Sequence, residues 1–336
     1  MKTTQRPRFQ LYKDRTFSQK FDATFAFMQE NWRPMCKYLL MFILPICIVC
    51  GLGFSNFVRQ SMDFNAMDSD GTEAQIVSFI VNYGITCLTG MVAGWVAFSM
   101  TYALMQCYAE RQERLAGVTW AELKPFFLRA LRREAGVVGL YLAMGVGLVA
   151  LIVGTIVLLQ LAGLALTVVY LLAYSVVILP LLLALPIAVF EDISAVQAVA
   201  KAWRLGFATW GAMFCFTAVI TIIIYFLSTM ISMPFSMLMF VQGLFFGAET
   251  LEAGMAGSVG MIVGLYLLSV VTMTLSQLLS SVFAVAVAVQ YGHAAERVDG
   301  VATGQAIETF EQITGDAEDA PAAPTADDEI SSFEQL

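Results

Sequence analysis

Charge is what this sequence most conspicuously lacks. Of its 336 residues only 13% are Asp, Glu, Lys or Arg, while 59% are hydrophobic. Soluble domains are about a quarter charged, so a water-soluble fold would have too little charge to cover its surface. That excludes a soluble globular protein, a disordered chain and a nucleic-acid-binding module. Histidine is scarcer still, since His293 is the only one. One histidine cannot build a multi-histidine metal site, and no Ser or Cys motif pairs with it for nucleophilic catalysis. Its expected role is an interfacial polar residue. No phosphate loop of the form G-x-x-x-x-G-K followed by Ser or Thr occurs, and no G-x-G-x-x-G follows a strand. That argues against a nucleotide-driven pump. Period-two alternation is missing too, which argues against a transmembrane β-barrel.

What the sequence has instead is six apolar runs, each about the 20 residues needed to cross a roughly 30 Å hydrocarbon core or longer. They cover about Tyr38–Val58, Gln75–Cys107, Val137–Leu159, Ala162–Phe190, Phe207–Ser232 and Val259–Gln290. The second and sixth are long enough as helices, roughly 50 Å, to tilt or project past the bilayer. Pro180 and Pro186 should kink the fourth. No small-residue cleavage site follows the first run, so it reads as a retained helix and not a signal peptide.

Lys and Arg set the threading. Seventeen of the eighteen basic residues fall before span one, between spans two and three, between spans four and five, or after span six. Only Arg59 falls on the other side, where the loops carry Asp63, Asp68, Asp70, Glu73, Glu249 and Glu252. Both termini are therefore expected in the cytoplasm of a bacterial cell.

Each basic segment ahead of an odd-numbered span looks amphipathic. They begin at Phe17, Val118 and Ile193, with Ser18, Thr119 and Ser194 as N-cap candidates. Glu122 and Gln197 follow the second and third caps at capping-box spacing, but Phe21 occupies that place in the first. Apolar residues recur at helical spacing: Phe21, Phe25 and Met28; Leu123, Phe127 and Leu131; Val196, Val199 and Trp203. Basic flanks suit helices lying on an anionic membrane surface. The expected architecture is all-α, a six-helix membrane bundle built as three copies of interfacial helix, span and return span. The plainer alternative is that cytoplasmic loops of membrane proteins are commonly basic and amphipathic.

The stretch Leu185–Trp210, LPIAVFEDISAVQAVAKAWRLGFATW, carries a resemblance. It has a proline near the end of span four, an acidic residue, a basic and aromatic centre and then a small residue opening span five, with Pro186, Glu191, Lys201 and Trp203 at matching positions. In that pattern, with Leu205 also in place, it resembles the membrane domain ahead of some glycerophosphoryl diester phosphodiesterases, and YciC-like six-helix proteins. Phe21–Pro34 resembles the same families more weakly. The layout matches over roughly residues 17–295 and the motif over about 26. The resemblance implies a membrane-domain fold and transfers no hydrolase activity, because nothing here corresponds to the soluble catalytic domain.

Candidate contacts follow from these patterns. Glu191, Lys201, Trp203 and Arg204, with Arg129, Arg132 and Arg133, are candidates for lipid headgroups or a partner. Glu191 and Asp192 also suit capping and surface pairing at the next helix. Asn82 and Gln106 in span two, and Thr274 and Gln277 in span six, are candidates for helix packing or a polar path. G-x-x-x-G spacing at Gly90/Gly94 and Gly260/Gly264 favours packing between those two spans. No ionisable residue is placed firmly inside a span, which weakens proton-coupled transport. Cys47 and Cys50 share a helix face but read as small apolar residues. The run Met230, Met233, Met237 and Met239 reads as apolar filling more than as a copper site. Pro234 is expected to end or kink span five, leaving Phe235–Phe246 at the outer interface or re-entrant.

Composition breaks after Ala295. Residues 296–336 hold eleven acidic residues and one basic one, and should be a disordered tail. Residues 1–16 read as a basic arm and 17–295 as the membrane domain, with a net charge of +2 over 1–295. Two islands in the tail share F-E-Q followed by Ile or Leu, around Phe310 and Phe333. They are docking candidates for a cytoplasmic protein partner. With no cofactor motif, catalytic set or nucleic-acid patch, the leading expectation is a non-enzymatic component that organises the membrane or scaffolds a complex. The alternative is a transporter or flippase-like protein for a lipid or small amphiphile.

Overall fold

The computed structural model describes residues 8–66, 73–245, 259–304 and 307. Among them every regular element is a helix: α1 Phe17–Ala66, α2 Glu73–Glu110, α3 Trp120–Leu159, α4 Leu161–Leu181, α5 Ala184–Phe190, α6 Ala195–Ala208, α7 Trp210–Phe245 and α8 Val259–Asp299. Six stretches are long and apolar enough to cross a membrane, the fourth being α4 and α5 taken together. The chain is thus a multi-pass, all-helical membrane protein.

The expected break in span four is real and local. Pro180 has no N–H to continue the ladder. The helix tightens there, with the Leu183 N–H donating to the Pro180 carbonyl at 3.2 Å, and α5 restarts at Ala184. Pro234 behaves differently: α7 runs through it without ending. The expected interfacial or re-entrant segment after it is therefore continuous helix as far as Phe245, because six or more turns of apolar helix precede the proline.

The segments expected to precede spans one and three are not separate helices. α1 has 50 residues and α3 has 40, so each amphipathic segment runs unbroken into its span. Only the third stands alone, as α6. Capping explains part of this. Ser194 accepts from the Gln197 N–H while Gln197 accepts from the Ser194 N–H, a complete capping box. Thr119 makes no side-chain cap, and Glu122 instead pairs with Arg111. At α1 the cap falls at Thr16 and not Ser18, the Thr16 N–H donating to Gln19 at 3.0 Å.

Most of the buried core lies at one end, here the basal end, where α1, α3 and α6 begin and α2 and α8 finish; a smaller cluster of Phe235, Met239 and Leu265 lies near where α7 finishes and α8 begins. One core joins α1, α2, α3 and α8 through Phe27, Tyr38, Ile43, Met100, Tyr108 and Leu123. A second joins α5, α6 and α8 through Leu183, Ile187, Ala198, Ala202, Leu205 and Tyr291. Residues 8–15, expected as a free basic arm, are strapped across this end. Arg8 donates to the carbonyls of Tyr108, Ala109 and Arg111 at 2.6–3.1 Å, which satisfies the open C-terminal carbonyls of α2. The Leu11 carbonyl sits where a Cβ on Gly292 would approach within 2.1 Å, so only glycine lets the strap cross α8.

Candidate functional site

Arg129, Arg132 and Arg133 lie on successive turns near the start of α3. Spacing of three and four residues puts them on one face. Together with Leu128, Asp192 and Ala195 they line a concave recess of about 570 Å³. The recess exists because α3 and the start of α6 come very close: a Cβ on Gly136 would lie 2.9 Å from that of Ala195. Asp192 anchors one side. Its backbone takes a left-handed conformation, φ +54°, as a short polar residue tolerates. Its carboxylate accepts from Arg133 Nε at 2.7 Å. Arg129 and Arg132 are exposed and have no ion pair among the described residues. Two free guanidiniums flanking a recess can hold a phosphate or carboxylate bidentately.

The other residues named from the sequence do something else. Lys201 reaches the Glu191 carboxylate at 2.8 Å and Asp299 at 3.4 Å. Arg204 holds both Asp299 oxygens at 2.8 and 2.9 Å. Tyr291 donates to Glu191 at 2.6 Å, and Tyr12 bonds Tyr291 at 3.0 Å. This network pins α6 to the end of α8. Glu191, Lys201 and Arg204 are thereby engaged in pairs within the chain, Arg204 from an exposed position, while Trp203 is exposed and packs against Phe207.

The four polar residues of spans two and six do not converge. Asn82 donates to the Ser78 carbonyl and to Gln60, Gln106 to the Val189 carbonyl, Thr274 to the Val270 carbonyl, and Gln277 to the Gly90 carbonyl. Each satisfies a backbone or side-chain group at a different level. α2 and α8 do meet, at Gly90 and Gly94 beside Gln277, but a Cβ at Gly264 would meet nothing within 4 Å. Gly260 lies outside the residues whose surroundings are described, as do Phe310 and Phe333 altogether. Cys47 and Cys50 are buried and unpaired. Met230, Met233 and Met237 are exposed while Met239 is buried, so the four do not gather. Among the described residues no group of His, Cys, Asp and Glu could hold a metal ion.

Two buried polar groups escaped the sequence reading. His293, expected as an interfacial polar residue, is buried within the protein, 2.9 Å from Asp14 through Nδ1. Glu134, expected in a segment on the membrane surface, is completely buried in the bundle, where it accepts from Ser99 Oγ at 2.7 Å. A signal for it was present. The buried positions of α3 are Leu123, Phe127, Ala130, Glu134 and Val137, an alternating four-three spacing that marks one inward stripe. Glu134 stands in that stripe where an apolar residue belongs. No protein-family model, curated protein or solved structure matches the chain.

Proposed function

We propose that this is a non-enzymatic protein of a bacterial cytoplasmic membrane that holds anionic lipid headgroups at its basal end and so organises the inner leaflet or a complex seated there. The observation that carries this reading is the recess between α3 and α6, with Arg129 and Arg132 exposed and without an ion pair among the described residues. The positive-inside bias supports placing the basal end, and both termini, on the cytoplasmic side. α6 fits a surface position: it buries Ala198, Ala202, Leu205 and Gly206 and leaves Val196, Trp203 and Phe207 exposed for the bilayer interface. The starts of α1 and α3 would be the two other members of a threefold unit in which the interfacial piece fused with its span. The likeness to phosphodiesterase membrane domains and YciC-like proteins fits this non-catalytic role. The acidic tail would serve a cytoplasmic protein partner through Phe310 and Phe333. Because Asn82, Gln106, Thr274 and Gln277 each bond a different group at a different level and do not converge, a polar path along α2 and α8 gains no support.

The test is lipid retention. Wild type and an Arg129→Ser/Arg132→Ser variant are purified into nanodiscs of mixed phosphatidylglycerol and phosphatidylethanolamine, and bound lipid is counted by native mass spectrometry. Each arginine near an anionic surface is worth about 1 kcal/mol, so the pair should account for roughly thirtyfold in apparent affinity. Competition by inorganic phosphate separates headgroup recognition from simple anion binding. Equal phosphatidylglycerol retention by the two proteins overturns the reading.

A further inference from the structure

A second cavity, of about 310 Å³, opens between α2 and α3. At 3.6 residues per turn it lies on the opposite face of α3 from the arginine recess. Its walls include Met91, Trp95 and Phe98 from α2, and Glu134, Val138 and Leu142 from α3. All but two of these are apolar side chains. The exceptions each carry a buried polar atom without a partner: Glu134 Oε1 and Trp95 Nε1. Ser99 satisfies only the other Glu134 oxygen. Tyr141, also on the wall, already donates to the Leu181 carbonyl. The cavity therefore offers one free acceptor and one free donor on an apolar lining.

Unpartnered polar atoms in an apolar interior are costly, and in a membrane no bulk water relieves them. A single water would satisfy both, but its share of liquid volume is about 30 Å³, roughly a tenth of this space, and apolar cavities stay dry. A hydroxyl group carries both a donor and an acceptor. It donates to Glu134 Oε1 and accepts from the indole N–H, and its hydrocarbon chain fills the remainder. An ammonium would bring a charge into this apolar lining, at a desolvation cost that can exceed the gain from pairing, and would leave the indole unpaired; an alkane leaves both atoms unpaired. We propose that the α2–α3 cavity binds the hydroxyl headgroup of an uncharged amphiphile drawn from the bilayer, of the class of long-chain alcohols and acylglycerols, between Glu134 and Trp95. This site is separate from the arginine recess and does not depend on the reading given for it.

The experiment uses the full-length protein in nanodiscs with a hexadecanol that carries a mid-chain diazirine. After photolysis, labelled peptides are mapped by mass spectrometry, with hexadecanol, hexadecylamine and hexadecane as competitors. Labelling should concentrate on the peptides holding Met91 and Leu142. Hexadecanol should compete about tenfold better than the amine or the alkane, the worth of a matched hydrogen-bond pair. Glu134→Leu should reduce labelling by a similar factor. If that variant does not fold, Leu142→Trp fills the mouth from a half-exposed position and should abolish labelling while the thermal transition persists. Uniform labelling of all lipid-facing helices, competition by amine or alkane equal to that by alcohol, or undiminished labelling of folded Leu142→Trp would each overturn the proposal.

Discussion

The α1–α8 pair and the α3–α4 hairpin are both built from apolar sequence and end up in opposite environments. Of the six candidate spans, α3 contains the most apolar window, yet none of that window is buried in the protein. The windows of α1 and α8 are less apolar, and 44% of each is buried. Lipid tails are as apolar as leucine, so hydrophobicity gives helices no reason to prefer each other over lipid. What draws α1 and α8 together is small residues that admit close approach and polar groups that need partners. Ser269 of α8 donates to the Gly51 carbonyl of α1 at 3.0 Å, and Lys20 donates to Gln290 at 2.8 Å. The outer half of α3 also has small residues, Gly145, Gly147 and Gly154, but nothing lies within 4 Å of a Cβ added at any of them, and the helix faces outward with Val146, Val153, Val157 and Leu158.

Substitutions can break that contrast, and the largest effect should come from Gly292. Gly292→Leu drives a side chain into the strap carbonyl and should cost more than about 3 kcal/mol, seen as lost thermal stability and exposure of residues 8–15 to protease. Gly154, where an added Cβ meets nothing within 4 Å, should tolerate Leu with little change. Next comes a pair of truncations. Phe27→Ala removes a fully buried ring packed 5.1 Å from Phe9 and 5.3 Å from Tyr108, and should cost about 3–5 kcal/mol. Leu158→Ala, at a residue 81% exposed, should stay within about 0.5 kcal/mol in the same denaturation assay. Similar losses from both would show that the hairpin is packed against something, as in an oligomer.

Caps sharpen the comparison at smaller amplitude. Ser194→Ala dismantles the box that starts α6 and should cost about 1 kcal/mol, while Thr119→Ala should be close to neutral because Thr119 caps nothing. Faster hydrogen exchange at the first turn of α6, and not of α3, is the local readout. The smallest effect concerns pH. Burial pushes the Tyr12 phenol above its ordinary value of 10.0, against the lowering effect of its bond to Tyr291. The folded protein then holds this proton more tightly than the unfolded chain does. Its contribution is complete below the unfolded value of 10.0 and is lost as pH rises through the higher folded value. Tyr12→Phe should flatten the alkaline decline in melting temperature, and an unchanged decline would assign it to other groups.

Much of the fold was legible because the bilayer imposes a simple length and composition test. Six spans, the break between Pro180 and Pro186, and the capping box at Ser194 all rest on local chemistry. The basic character of Arg129, Arg132 and Arg133 was equally plain, and their three-four spacing predicts one face. The misplaced features share a cause. Glu134 stands among arginines in a segment read as lying on the membrane surface, until α3 runs unbroken from Trp120 into its span and turns that stripe inward. Lys201 and Arg204 look like free cations until α8 brings Asp299 beside them. The N-terminal arm looks detached until Arg8 meets the end of α2.

By itself the sequence determined that this chain is helical, crosses a membrane and carries its cations in four segments, because hydropathy and charge act on each segment alone. Tertiary structure decided which polar groups are consumed and which are left over. Hydrogen bonds and ion pairs between Glu191, Lys201, Arg204 and Asp299 satisfy those residues internally, while Arg129, Arg132, Glu134 Oε1 and Trp95 Nε1 keep unused capacity. That remainder depends on contacts between helices far apart in the chain, and no local pattern encodes it.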